Sequence, residues 1–158
     1  MINLQSALLY LAVVAAAGLI VLVIALRRRH RRAPRGPRLD APAPTGGPQI
    51  GDRWMADVPF EDEPRRSKRR PCLIIGYSGR GYWALKCTTQ APREAEWRVF
   101  VPAARWDPDA DRDGYVDLVP YHLPRARFAH SFGRIADRRL YRDITGRLRW
   151  ERAVDFTR

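Results

Sequence analysis

The pattern of apolar and polar positions divides the chain into three stretches. The first 26 residues carry no charged side chain, and from Ala7 to Leu26 they are almost wholly apolar. A membrane-spanning helix needs about 20 such residues, so residues 1–26 predict one transmembrane anchor. The charge follows the apolar run, at Arg27, Arg28, Arg29, Arg31 and Arg32, whereas a cleaved leader carries it in front. By the positive-inside rule, the N-terminus is expected outside and the rest of the chain in the cytoplasm, making a single-pass inner or plasma membrane protein. Residues 27–48 are basic and rich in Pro and Gly, too poor in apolar surface to fold, and predict a juxtamembrane linker. Residues 49–158 are then about the size of one small domain.

Within that domain the pattern is mostly that of strands. Arg53–Val58 and the apolar run Cys72–Tyr77 predict the first two, the second buried on both faces. The turn Ser78-Gly79-Arg80-Gly81 then predicts a hairpin into Tyr82–Thr88. Trp97–Val101, Tyr115–Val119 and Phe132–Ala136 are shorter candidates. Behind Asp137, a plausible cap, Leu140, Tyr141, Ile144 and Leu148 recur at helical spacing. Several short strands, a long early loop and one C-terminal helix predict a mainly β fold, a small and strongly curved barrel.

Charge adds two facts. The net charge is +12, and the seven arginines between Arg27 and Arg38 leave +5 for the remainder. The juxtamembrane cluster suits topology and anionic lipid. The smaller excess on the domain suits a polyanionic partner such as nucleic acid. Cys72 and Cys87 are the only cysteines. They sit on predicted strands without the number or spacing of a zinc site, and are expected to fill core.

The candidate chemistry lies where a basic run meets a core strand, in Ser67-Lys68-Arg69-Arg70-Pro71-Cys72. Pro71 fixes the backbone beyond Arg70, and the apolar strand after it anchors the junction. A guanidinium held there can grip two phosphoryl oxygens at once. Three segments in order carry a resemblance. Gly51-Asp52-Arg53-Trp54-Met55-Ala56-Asp57 resembles the opening strand of the PemK/MazF family of toxin ribonucleases. Arg70-Pro71-Cys72-Leu73-Ile74-Ile75 is similar to that family's Arg-Pro and apolar strand, and Cys87-Thr88-Thr89-Gln90 to its Cys-Thr-Thr-Gln strand end. The stretch from Glu61 to Arg69 departs from the family, lacking its Gln-x-Gly turn.

The resemblance implies an SH3-like barrel, a homodimer and metal-independent endonuclease action on single-stranded RNA. It implies attack of the ribose 2′-hydroxyl on the adjacent phosphate, leaving 2′,3′-cyclic phosphate and 5′-hydroxyl ends. Arg70 would be the principal catalytic residue and Thr88 its partner, with no cofactor and no metal. An antitoxin protein would be the usual neutralising partner. Ser67, Lys68, Arg69, Thr89, Gln90 and His122 are the candidate substrate-binding residues. The alternative is a non-catalytic module on the same barrel that binds nucleic acid or protein at the membrane.

Other features have plainer readings. Asp109–Asp117 imitates a calcium loop, but Pro120 stands where a bidentate Glu belongs, so an acidic surface loop is expected. His122 and His130 are weighed as acid and base, because histidine as a residue type suits such work near neutral pH, yet one lies just before and the other within an Arg-rich stretch, 125–134, expected to be a loop. Glu61, Asp62 and Glu63 are weighed as bases and expected to be solvated partners of the following cations.

Overall fold

The computed structural model describes residues 39–157 except residue 94. The expected membrane span and the arginine cluster lie outside the described residues. Among those described, no helix is long and apolar enough to cross a membrane. The described chain is mainly β: a curled, largely antiparallel sheet forming a half-barrel, with one short α-helix.

Its strands are β1 (Asp52–Pro59), β2 (Ser67–Tyr77), β3 (Tyr82–Thr88), β4 (Arg98–Val101), β5 (Trp106–Asp107), β6 (Gly114–Leu123), β7 (Phe128–Ile135) and β8 (Val154–Asp155), with α1 (Arg138–Gly146) between the last two. The sheet order is β4-β6-β3-β2-β1-β7-β5, and β8 runs parallel beside the far end of β6.

Residue alternation sends the long central strands to two cores. One gathers Trp54, Ala56, Cys72, Ile74, Tyr82, Ala84, Tyr121 and Phe128. The other gathers Leu73, Ile75, Trp83, Leu85, Val116, Leu118 and Ile144. A fully buried Leu or Ile contributes about 1.5–3 kcal/mol, so β2 and β3, buried on both faces, anchor the fold. The curl comes from irregular pairing. Between β1 and β7 the partners run Asp52↔Arg134, Trp54↔Ser131 and Ala56↔Phe128, so β7 carries an extra residue in each step. Between β3 and β6 the register jumps from Leu85↔Pro120 to Cys87↔Val116. Such bulges bend a strand and strengthen its twist. The one between β3 and β6 also accommodates Pro120, which has no N–H for the ladder.

The β2–β3 hairpin closes through Ser78 N donating to Gly81 O at 3.0 Å. Gly79 takes φ = 93° there, which side chains disfavour. Asp137 caps α1 as expected, its Oδ1 accepting from Arg139 N at 2.8 Å and Leu140 N at 3.0 Å. The helix stops at Gly146, so Leu148 packs into the core from beyond its end.

Three expectations change. β2 begins at Ser67, so the basic run is strand, paired with β1 from Pro59↔Ser67 onward, and the expected long early loop shrinks to residues 60–66. The stretch 125–134 is a short 3-10 turn followed by most of β7. The end of the expected linker also packs on the domain. Asp40 bridges to Tyr77, Leu39 and Ala43 join the two cores, and Pro48 is fully buried. A Cβ on Gly76 would lie 2.8 Å from Leu39 Cβ, so the glycine admits this segment.

Candidate functional site

Arg70 sits on β2 opposite Ala56 of β1. On the other side of β2 the pairs Ile74↔Ala84, Leu73↔Leu85 and Cys72↔Lys86 keep one register. The ladder ends at Cys72↔Lys86, with Arg70 two residues beyond it on β2 and Thr88, the last residue of β3, two residues beyond it on the other strand. Both residues are half-buried and both line a groove of about 580 Å³, together with Lys68, Arg69 and Thr89. Thr88 Oγ1 accepts from Gln90 N at 3.1 Å, which leaves the threonine hydrogen available to donate.

By alternation, Arg70 shares its sheet face with Cys72 and Lys86. It also lines a smaller hollow of about 230 Å³ under the β1–β2 turn, with Glu61 and Lys86. Behind it runs a polar chain. Lys86 Nζ donates to the Tyr121 hydroxyl, which donates to Glu61 Oε1. Lys86 Nζ also lies 4.0 Å from Asp117 Oδ2 and from Glu61 Oε1. Arg98 Nε is 3.9 Å from the same Asp117 oxygen, and Arg98 Nη1 donates to Gln90 O at 3.0 Å. Burial pulls the Lys86 ammonium below the ordinary lysine range; Asp117 and Glu61 oppose the shift and Arg70 adds to it. Burial, then the hydrogen bond to Glu61, pushes the Tyr121 phenol upward.

The expected site residues are only partly gathered. Arg70, Thr88, Lys68, Arg69 and Thr89 share the groove. Arg69 Nε lies 3.4 Å from Asp57 Oδ1, an exposed pair. Gln90 borders an adjoining pocket with Glu61, Lys86 and Arg98. Ser67 is exposed at the start of β2, opposite Pro59.

His122 does not join them. It lies within β6, 3% exposed, paired with Trp83, five residues along β3 from Thr88 and hence about 17 Å away. Its ring stacks on Trp83 at 4.4 Å between centroids. Its Nε2 is 2.8 Å from Ser78 Oγ, and its Nδ1 is 2.9 Å from Asp155 Oδ1 and 3.0 Å from Thr157 Oγ1. Ser, His and Asp are thus linked as in a nucleophilic relay. Ser78 Oγ, however, also takes the Arg80 and Gly81 N–H groups, both at 3.3 Å. A Cβ on Gly81 would meet Thr157 at 2.7 Å and His122 Nε2 at 3.0 Å, so the hairpin turn packs tightly against this cluster. The cluster clamps β8 and the hairpin turn together.

Lys86, Tyr121 and Arg53 did not stand out in the sequence as site residues. Lys86 had a signal: it is the one charge in Tyr82–Thr88, at the alternation position of Tyr82 and Ala84, which point into a core. Glu61 was expected to be merely solvated, yet it accepts from Tyr121. Cys87 lines the groove, but burial pushes its thiol up to about 12, so it stays protonated. The acidic loop also lines the groove. Asp113 Oδ1 accepts from Ala103 N at 2.7 Å, and among the described residues no group of three or more His, Cys, Asp or Glu converges as metal ligands. No protein-family model matches this chain, and no curated protein matches it.

Proposed function

We propose that the chain is a membrane-anchored endoribonuclease of the PemK/MazF kind. It cuts single-stranded RNA by transesterification on an SH3-like form of the curled sheet. The observation that carries the reading is that Arg70 and Thr88, on neighbouring strands, line one groove, and that Lys86 and Glu61 line a smaller hollow together with Arg70. A homodimer and a neutralising antitoxin belong to the same reading.

Each step of the reaction has a residue to serve it. The 2′-hydroxyl attacks the adjacent phosphorus while its proton passes to the Glu61 carboxylate. The new P–O2′ bond forms as the P–O5′ bond breaks, and the leaving 5′-oxygen takes a proton from the Lys86 ammonium. Negative charge gathers on the phosphoryl oxygens in the transition state. Arg70 holds two of them through its planar fork and Thr88 donates to a third. Arginine remains protonated throughout, so its role is charge stabilisation. A lysine with a lowered pKa is a better proton donor near neutral pH than an ordinary one.

The test uses the full chain in detergent with end-labelled single-stranded RNA and a chelator. Fragments ending in cyclic phosphate are expected, with the rate falling about 10²–10³-fold in Arg70→Ala. Uncut RNA in the presence of folded protein refutes the proposal. Salt-sensitive binding without cutting would instead identify the non-catalytic binding module.

A further inference from the structure

One buried cation takes no part in that chemistry. Arg53 of β1 points to the second core, away from Lys86, and is 8% exposed on the floor of the large groove. Its guanidinium is sandwiched, 4.7 Å from the ring centre of Trp106 and 4.5 Å from that of Phe132. Two aromatic rings therefore pack on the guanidinium, and its N–H groups are what it can offer a ligand. Nη2 donates to Phe132 O at 3.3 Å, and buried Nε has no hydrogen-bond partner among the described residues. A buried donor without an acceptor is unfavourable unless something in the cavity supplies one.

The groove is two-signed. Lys68, Arg69 and Arg70 line it, and so do Asp109, Asp111 and Asp113. Asp113 is already bound to Ala103 N. Asp111 is the carboxylate whose charge acts on Arg53. A bare phosphate or carboxylate over Arg53 would meet three acids, so the occupant must present acceptors to the arginine and donors to the carboxylates. Among nucleobases guanine does both. Its O6 and N7 are two adjacent acceptors for a guanidinium edge, while its N1–H and N2 amino group donate to a carboxylate. Adenine presents an amino donor beside N7 and would set donor against donor. The volume, about 580 Å³, lies within the roughly 300–1,000 Å³ usual for ligand pockets.

We propose that this groove is a base-selecting subsite for guanine, read by Arg53 through O6 and N7 and by Asp111 through N1–H and the N2 amino group. It rests on the RNA reading of Arg70 and Thr88, which line the same groove, and it sets which nucleotide of the RNA the chain prefers.

The test titrates the full chain with guanosine, adenosine and cytidine 5′-monophosphates and with 7-deazaguanosine 5′-monophosphate, which lacks the N7 acceptor. All four carry the same phosphate, so differences report the base. Guanosine monophosphate is expected to bind at least about tenfold more tightly than the other three. The preference should collapse in Arg53→Lys, which keeps the charge and loses the fork. Asp111→Asn, at an exposed position, should weaken guanosine monophosphate alone and serves if Arg53→Lys does not fold. Equal affinity for the four nucleotides overturns the inference, as does a preference that survives Asp111→Asn. RNA cutting that ignores guanine sinks this inference and leaves the ribonuclease reading intact. Guanine-selective binding by a chain that cuts no RNA does the reverse.

Discussion

Replacing Tyr121 by phenylalanine tests whether the polar chain behind Arg70 acts as one unit. The ring should stay in place, because Tyr121 is 2% exposed and stacks on Phe156 at 6.2 Å with 10° between planes. Only the hydroxyl is lost, with its links to Lys86 and Glu61. A hydrogen bond to a charged group contributes about 1.5–3 kcal/mol, but the two ends are not equal. The Glu61 side chain is 55% exposed and can turn to water, so its share is small; the Lys86 side chain is 23% exposed and cannot do so freely. Lys86 does keep Asp117 and Glu61 at 4.0 Å. The expected loss is therefore about 1–2 kcal/mol, well short of two full bonds. Urea unfolding followed by tryptophan emission measures it. Combined with Lys86→Met, the double variant should miss additivity by about 1 kcal/mol, because the second change removes the partner already lost. Additivity to within about 0.3 kcal/mol would show that the contacts carry no joint energy, and the site argued from them would fail.

Other consequences are checked separately. Thr88→Ala should slow RNA cleavage about 10–100-fold, whereas Thr88→Ser should retain most of the rate, since serine can also accept from Gln90 N and donate to phosphate; single-turnover rates decide. The cleavage rate should fall as pH rises through the lowered pKa of Lys86, and Lys86→Arg should move that alkaline limb upward in a pH–rate profile. Burial works to raise the pKa of Asp155, but hydrogen bonds from Thr157 and His122 outweigh it and hold the group down at about 2. Its stabilisation is thus present above the ordinary carboxylate range and is lost as pH falls from about 4 towards 2. Hydrogen exchange at Phe156 N, which donates to His122 O at 2.9 Å, should accelerate in that window, and Asp155→Asn should remove the pH dependence. Ile144→Ala should cost about 2–5 kcal/mol in thermal or urea unfolding, because Ile144 is the one fully buried side chain of α1.

The central hairpin was legible in the sequence because several signals agree there. An apolar run, a glycine turn and a second apolar run can be satisfied together only by β2 and β3, and β3 keeps the expected bounds Tyr82–Thr88. Asp137 and the helical spacing behind it were equally plain. The start of β2 was hidden because strand pairing with β1, not burial, makes Ser67–Arg69 extended, and exposed cations leave no periodicity to read. The start of β7 was hidden likewise: Phe128 is buried and the next three residues are exposed. His122 misled because an Arg-rich stretch follows it in sequence, while its neighbours in space, Trp83, Ser78 and Asp155, come from three separate elements. Arg53 was invisible for the same reason, since Trp106 and Phe132 sandwich it only after β5 and β7 have joined the sheet.

The basic start of β2 bears on how the protein must be handled. Residues 67–71 pair with β1 on one side, while the pairing with β3 begins only at Cys72. Their other flank is a strand edge, the kind of template on which a stray chain can add itself and begin an aggregate. Lys68, Arg69 and Arg70 post repulsive charges along that template, so the cations that would draw in a polyanion also act as gatekeepers of solubility. A variant stripped of all three to abolish RNA binding would expose the edge and could precipitate, giving a false negative in any activity assay. Single substitutions, or replacement of one cation by glutamate, keep the edge guarded and make the cleaner controls.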